Sequence, residues 1–156
     1  MKRISVSDTI QILSNIGVLA GIVFLGYEIH QTTVTIRLAA ADSQAASFYQ
    51  LDMQVATSPQ LARLMVQTDS GPALTPGENI QVSEFALALA RTWEQAQYQY
   101  LSGALDENLW LGERALMKRS IGVWKYMQAY LKANEAFFTP EFNAEVQTIM
   151  QELNTN

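Results

Sequence analysis

The feature that most constrains this chain is a stretch near its amino terminus that has no charged side chain, from Thr9 through Tyr27. Within it, residues 10–27 (IQILSNIGVLAGIVFLGY) are mostly apolar and contain no proline. As an α-helix, about 18 residues rise roughly 27 Å, which is close to the thickness of the hydrocarbon core of a bilayer. A tyrosine at the end of such a stretch is typical of the interface between lipid and water. The sequence therefore predicts one transmembrane helix.

Two other interpretations of residues 10–27 are a cleaved signal peptide and the buried core helix of a globular domain. A signal peptide needs small residues at its cleavage site, whereas here the apolar run is followed by YEIHQ at residues 27–31. A core helix is favoured by the polar side chains of Gln11, Ser14 and Asn15. The length of the run favours the membrane, because apolar runs in core helices are usually shorter. The core helix stays open as the main alternative.

The charged residues are few, and their distribution excludes one class of partner. They make up only 16% of the 156 residues, against about 25% in ordinary globular domains. Nucleic-acid binding requires clustered Lys and Arg, and the 10 basic residues form no cluster, so we expect no nucleic-acid partner. The 15 acidic residues would be repelled by anionic lipid, so attachment to a membrane must be apolar. The predicted partners are the lipid bilayer and other membrane protein subunits or further copies of this chain.

Small residues recur on the predicted transmembrane helix. Gly17 and Gly21 form a GxxxG pair, and Ser14 lies one turn earlier on the same side. Such residues let two helix backbones approach closely in lipid, and Asn15 can add an interhelical hydrogen bond. We therefore expect these four residues to form a helix–helix contact. The alternative is a chance pair, because glycine is common in membrane helices.

The rest of the chain predicts an acidic helical domain, residues 31–156, after a tail and transmembrane helix in residues 1–30. Neither proline nor glycine occurs between Gly26 and Ser58, so one helix is expected to continue from the membrane into the domain. The β-branched residues 32–35 (TTVT) lower helix propensity, and a bend there is the alternative. The predicted fold is all-α, with one N-terminal transmembrane helix that continues into a small helical bundle.

Later helix starts and one loop follow from local signals. A capping hydroxyl precedes a proline at three places, and this pattern is typical of the first residue of a helix. Residues 68–73 (TDSGPA) have the composition of a loop. The three pairs are Ser58-Pro59, Thr75-Pro76 and Thr139-Pro140.

No pattern of catalytic or metal-binding residues is found in the sequence. The chain has no cysteine and a single histidine, His30, so thiolate nucleophiles, Cys-ligated zinc and histidine clusters are excluded. No glycine-rich phosphate loop, nucleophile elbow or EF-hand pattern occurs. The sequence therefore predicts that the protein is not an enzyme and uses no cofactor.

The aromatic residues after residue 90 are more numerous than one small core needs. Aromatic side chains at helical spacing usually fill a core. The surplus predicts that some of them form an exposed surface for a partner protein. The residues proposed for this surface are Trp93, Tyr98, Trp110, Trp124 and Tyr126.

Several stretches resemble a group of uncharacterised bacterial proteins that have one N-terminal membrane span followed by a helical domain. They are residues 27–32 (YEIHQT), 57–64 (TSPQLARL), 93–100 (WEQAQYQY) with 103–110 (GALDENLW), and 138–142 (FTPEF). The resemblance implies this architecture and supplies no catalytic residues. This chain departs from the group just after the span, where members often carry more basic residues.

The predicted location is the bacterial inner membrane, with a single pass. Lys2 and Arg3 precede the span, whereas Arg37 is the nearest basic residue after it. The excess before the span favours a cytoplasmic amino terminus and a periplasmic helical domain. Two functions remain: an accessory protein that assembles with a larger membrane complex or with itself, and a membrane-tethered sensor or small-ligand-binding module.

Overall fold

The computed structural model describes residues 6–155, so Lys2 and Arg3, on which the predicted orientation depends, lie outside the described residues. The described chain contains no β-strand. The prediction of an all-α fold, in which a long N-terminal apolar helix continues into a helical region, is confirmed. The helices are α1 Val6–Thr57, α2 Pro59–Ser70, α3 Pro76–Leu101, α4 Glu107–Val123, α5 Lys125–Ala133 and α6 Pro140–Asn154, with a short 3-10 turn at Glu135–Phe137.

The chain divides into two compact units, Met1–Leu38 and Ala39–Asn156. The described part of the first unit is helical throughout, including the β-branched residues 32–35. In that run the Thr33 hydroxyl donates to the carbonyl of Ile29 at 2.9 Å, and the Thr35 hydroxyl donates to the carbonyl of Gln31 at 3.0 Å. Both hydroxyls thus bond within the helix, and α1 continues through the run.

In the second unit, the predicted capping residues begin three helices. The hydroxyls of Ser58 and Thr139 each accept a hydrogen bond from the backbone N–H three residues along the chain. Thr75 and Glu78 form a reciprocal capping box at the start of α3. Each of these helices has a proline in its first turn. The three predicted helix starts are therefore confirmed.

The predicted loop at residues 68–73 is wrong in its first half, because α2 continues through Ser70. The Asp69 carboxylate accepts hydrogen bonds from the backbone N–H groups of Lys125 and Tyr126, both at 3.1 Å. It thereby caps α5, whose own N-cap residue makes no side-chain cap hydrogen bond. The end of α2 thus contacts the start of α5, where Asp69 satisfies backbone donors that would otherwise be unpaired.

The core of the second unit is formed by apolar faces of all the helices that it contains. Most of its fully buried side chains are large and apolar, and alanines of α3 are buried among them. The largest are Trp93, Phe142, Leu64, Met117, Ile121, Met127, Leu131, Ile149 and Val82.

Ion pairs join α4 to α6 at the edge of this core. Arg114 Nε lies 2.6 Å from Glu145 Oε1, and its Nη2 lies 2.6 Å from Glu152 Oε1. Lys118 Nζ lies 2.7 Å from the other oxygen of Glu152. Hydrogen bonds from Arg114 and then from Lys118 lower the pKa of Glu152 to about 2.

We expect this lowered pKa to make the helical unit less stable in acid. Glu152 has a lower pKa in the folded chain than the ordinary value of about 4.3, so its stabilising effect is complete above that value. The effect is lost as the pH falls toward 2. Glu152→Gln should therefore show a smaller drop in urea midpoint between neutral and acidic pH than the wild type. The control is Glu135→Gln, at an exposed position, which should show the same drop in urea midpoint as the wild type. Equal drops in midpoint for the wild type and both variants would contradict the prediction.

Candidate functional site

The surface of the first unit is an exposed apolar helix. The large apolar side chains described within residues 10–27 are all more than half exposed, from 56% for Ile16 to 73% for Val23. The segment Leu13–Thr57 contains an 18-residue window with a mean hydropathy of 1.4, none of which is buried. Among the described residues, this helix is long and apolar enough to cross a membrane. Residues 10–27 are therefore exposed, whereas the alternative of a core helix would require them to be buried.

The small residues predicted to form a helix–helix contact do not all lie on one face. At about 100° per residue, Ser14, Gly17 and Gly21 fall within roughly 60° of one another. Asn15 lies about 160° around the helix from Gly17, so one flat contact cannot include both residues. A Cβ atom built at Gly17, Gly21 or Gly26 meets nothing within 4 Å. The glycine face is therefore open to the backbone of a partner helix.

The aromatic residues predicted to form a partner surface are divided between core and surface. Trp93, Trp110 and Trp124 are 1%, 5% and 6% exposed, so the prediction that they contact a partner is wrong. Their rings fill the core, where burying large aromatic surfaces is most favourable. Tyr126 is partly buried and stacks on Trp124 with ring centroids 5.5 Å apart, and burial raises the pKa of its hydroxyl. Tyr98 is 71% exposed and remains available.

An open groove of about 740 Å³ lies beside Tyr98, between α3 and the start of α6. Leu101 lines it as well and is 59% exposed. Glu94 accepts a hydrogen bond from Arg91 at 2.6 Å and another from the backbone N–H of Thr139 at 2.7 Å. Because these charged groups pair with one another or with the backbone, the groove presents mainly its apolar side chains.

A smaller cavity of about 260 Å³ lies between the second half of α1 and α4, within the second unit. Gln44 is only 3% exposed there, and its Nε2 donates to the carbonyl of Thr92 at 3.0 Å. Burial raises the pKa of Glu113, and the negative charge of Asp52 raises it further. The residues lining this cavity are Ala41, Asp42, Gln44, Ala45, Leu105, Leu109 and Glu113.

The sequence analysis missed this cavity because its residues form no motif. One signal was present: Gln44 lies three residues after Ala41 and four before Phe48, within the apolar stripe of α1. A polar side chain at a buried helical position needs hydrogen-bond partners from another element, and here α3 provides one of them. Glu113 follows Leu109 by one helical turn, so the two share a helix face.

The described residues contain no group of three or more His, Cys, Asp or Glu side chains that could hold a metal ion. Comparison with protein-family models, with curated proteins and with solved structures gave no match to this chain. The resemblance to bacterial single-span proteins therefore stays a prediction. The surfaces described above are the basis for the functional proposals.

Proposed function

We propose that this protein is a membrane-anchored accessory protein. It assembles with a larger membrane complex or with itself, through its transmembrane helix and its helical domain. The observation that carries the proposal is the continuous, exposed apolar surface of residues 10–27. Soluble monomers rarely expose an apolar surface of this extent, whereas a bilayer covers it and a helix satisfies its own backbone hydrogen bonds there.

The proposed location is the bacterial inner membrane, with the helical domain on the periplasmic side. Lys2 and Arg3 would remain in the cytoplasm, as the positive-inside rule favours. The role in assembly is supported by the open face around Gly17 and Gly21, together with exposed apolar side chains such as Tyr98. Lipid alone covers the rest of the anchor in this proposal.

The second candidate is a membrane-tethered sensor or small-ligand-binding module. A pocket lined by tryptophans does not favour it, because the indoles of Trp93 and Trp124 are both buried in the core. The observation that favours this candidate is instead the cavity between α1 and α4, which a small ligand could enter. Its size is below the usual range of pockets for drug-sized ligands, so the assembly role is preferred.

The assembly role is tested by enlarging the glycine face. We expect Gly17→Ile and Gly21→Ile to weaken association about tenfold, because the added side chains keep the helix backbones apart. Neither side chain clashes within the chain, since the first added atom meets open space. The measurement is the monomer–oligomer equilibrium, or retention of co-purifying subunits, in mild detergent.

Gly26→Ile is the matched control for this experiment. It adds the same side chain at another position with open space, but about 140° around the helix from Gly21. The control should associate as the wild type does. An equal loss in all three variants, or a wild-type protein that is monomeric and co-purifies with no subunit, would contradict the assembly role.

A further inference from the structure

Two oxygen acceptors near the cavity between α1 and α4 have no hydrogen-bond partner among the described residues. One is Oε1 of Gln44, whose Nε2 is already bonded to the carbonyl of Thr92. The other is Oε2 of Glu113. Buried acceptors without a donor are unfavourable, and most such groups in proteins are satisfied. Both residues line the cavity, so a ligand there that donates hydrogen bonds would complement them.

The cavity is also acidic. Asp42 and Glu113 line it, and Asp52 lies close enough to Glu113 for its charge to disfavour ionisation of that carboxyl group. None of the residues that line it is Lys, Arg or His. A positively charged ligand would relieve the repulsion between these carboxylates and favour the charged form of Glu113.

The rest of the lining is apolar, which narrows the kind of cation. Ala41, Ala45, Leu105 and Leu109 form these walls, and Leu105 is only 4% exposed. An alkyl chain that ends in an ammonium group would place its stem against these walls and its N–H donors at the oxygens. A volume of about 260 Å³ equals that of roughly nine water molecules at about 30 Å³ each. This is room for a lysine side chain.

We infer that this cavity binds an alkylammonium group, supplied by a lysine side chain of a partner protein. The choice of source rests on the proposed function, because an accessory protein must present its helical domain to other subunits. A free alkylamine carries the same chemistry and is the other source to be distinguished.

The experiment titrates the full-length chain in lipid nanodiscs with n-butylammonium chloride, at constant ionic strength. Amide signals of the residues lining the cavity, including the Gln44 side chain, are followed by NMR. We expect saturable shifts with n-butylammonium but none with n-butanol, which lacks the charge. Glu113→Gln and Asp42→Asn should each weaken binding about tenfold, because each removes one charged acceptor. Asp42 is exposed, so its variant tests the site even where Glu113→Gln alters stability.

Glu107→Gln is the matched control, since Glu107 is on α4 but does not line the cavity. It should bind n-butylammonium as the wild type does. The absence of saturable shifts, or equal affinity for Glu113→Gln, Asp42→Asn and the wild type, would overturn the inference. Such a failure leaves the anchoring proposal intact, because the chain is already held in nanodiscs during the measurement.

A second experiment, with peptides, distinguishes the two sources of the ammonium group. The probes are a short amphipathic peptide with one lysine and the same peptide with norleucine in its place. Tighter binding of the lysine peptide than of n-butylammonium, lost with norleucine, supports a partner lysine. Binding of n-butylammonium without binding of the peptide overturns that source and supports a free amine at the same site.

Discussion

Arginine in place of both Leu19 and Ile22 is expected to release the protein from membranes. Both side chains are 62% exposed on the helix that would cross the bilayer. An arginine at the centre of a membrane helix costs about 2.5–3.5 kcal/mol on insertion scales, so the pair costs about 5–7 kcal/mol. The span is near the short end of the usual range and has little apolar surface to offset this cost. The measurement is the fraction of protein that stays in the membrane pellet after alkaline carbonate extraction.

The control for the arginine variant keeps the helix apolar. Leu19→Phe with Ile22→Val changes the same positions and should remain in the pellet with the wild type. Circular dichroism of the released arginine variant should show that the helical domain is still folded. If the arginine variant stays in the pellet like the control, residues 10–27 do not lie in hydrocarbon and the anchoring proposal fails.

Alanine in place of Phe142 should remove much of the stability of the helical domain. Its side chain is fully buried at the start of α6, and its ring lies 5.3 Å from that of Phe138, measured between centroids. Truncating a buried phenylalanine to alanine costs about 3–5 kcal/mol, because apolar contacts are lost and a cavity remains. The total stability of a domain is typically about 5–15 kcal/mol, so this is a large share.

Phe137 provides the matched control for this substitution. It directly precedes Phe138 in the sequence, but its side chain is 53% exposed. Phe137→Ala should therefore lower the free energy of unfolding by only about 1 kcal/mol, clearly less than Phe142→Ala. The measurement is urea unfolding in detergent, followed by the fluorescence of the buried tryptophans. Equal losses for the two alanine variants would show that this part of the core is wrongly described.

Local signals made the helix starts of the second unit predictable. Ser58, Thr75 and Thr139 each form a cap with a backbone N–H three residues away, so the whole interaction lies within one short segment of sequence. The first unit was predictable for a related reason. A run without charge is a property of consecutive residues, so its length and its apolar composition follow from the sequence alone.

Contacts between distant residues explain what the sequence did not reveal. Asp69 lies in a stretch with the composition of a loop, but its carboxylate caps α5, which begins more than 50 residues later in the chain. Local sequence does not separate the three buried tryptophans from the exposed Tyr98, because packing between helices decides which aromatic side chains are covered. Asn15 is a different case, because its angle around the helix could have been computed from spacing alone. The cavity beside Glu113 needed both α1 and α4 in place before its residues came together.

Cysteine protection tests the central claim, that residues 10–27 lie in hydrocarbon, most directly. The natural chain has no cysteine, so each single-cysteine variant reports one position. Native membranes that contain either Leu19→Cys or Tyr98→Cys would be made permeable, so that both of their sides are accessible. They would then be treated with a water-soluble maleimide. A thiol reacts as its thiolate, which hydrocarbon disfavours. We predict that Tyr98→Cys reacts at once and Leu19→Cys only after the membrane is dissolved and the chain unfolded. Equal, rapid labelling of both in intact bilayers would contradict the claim.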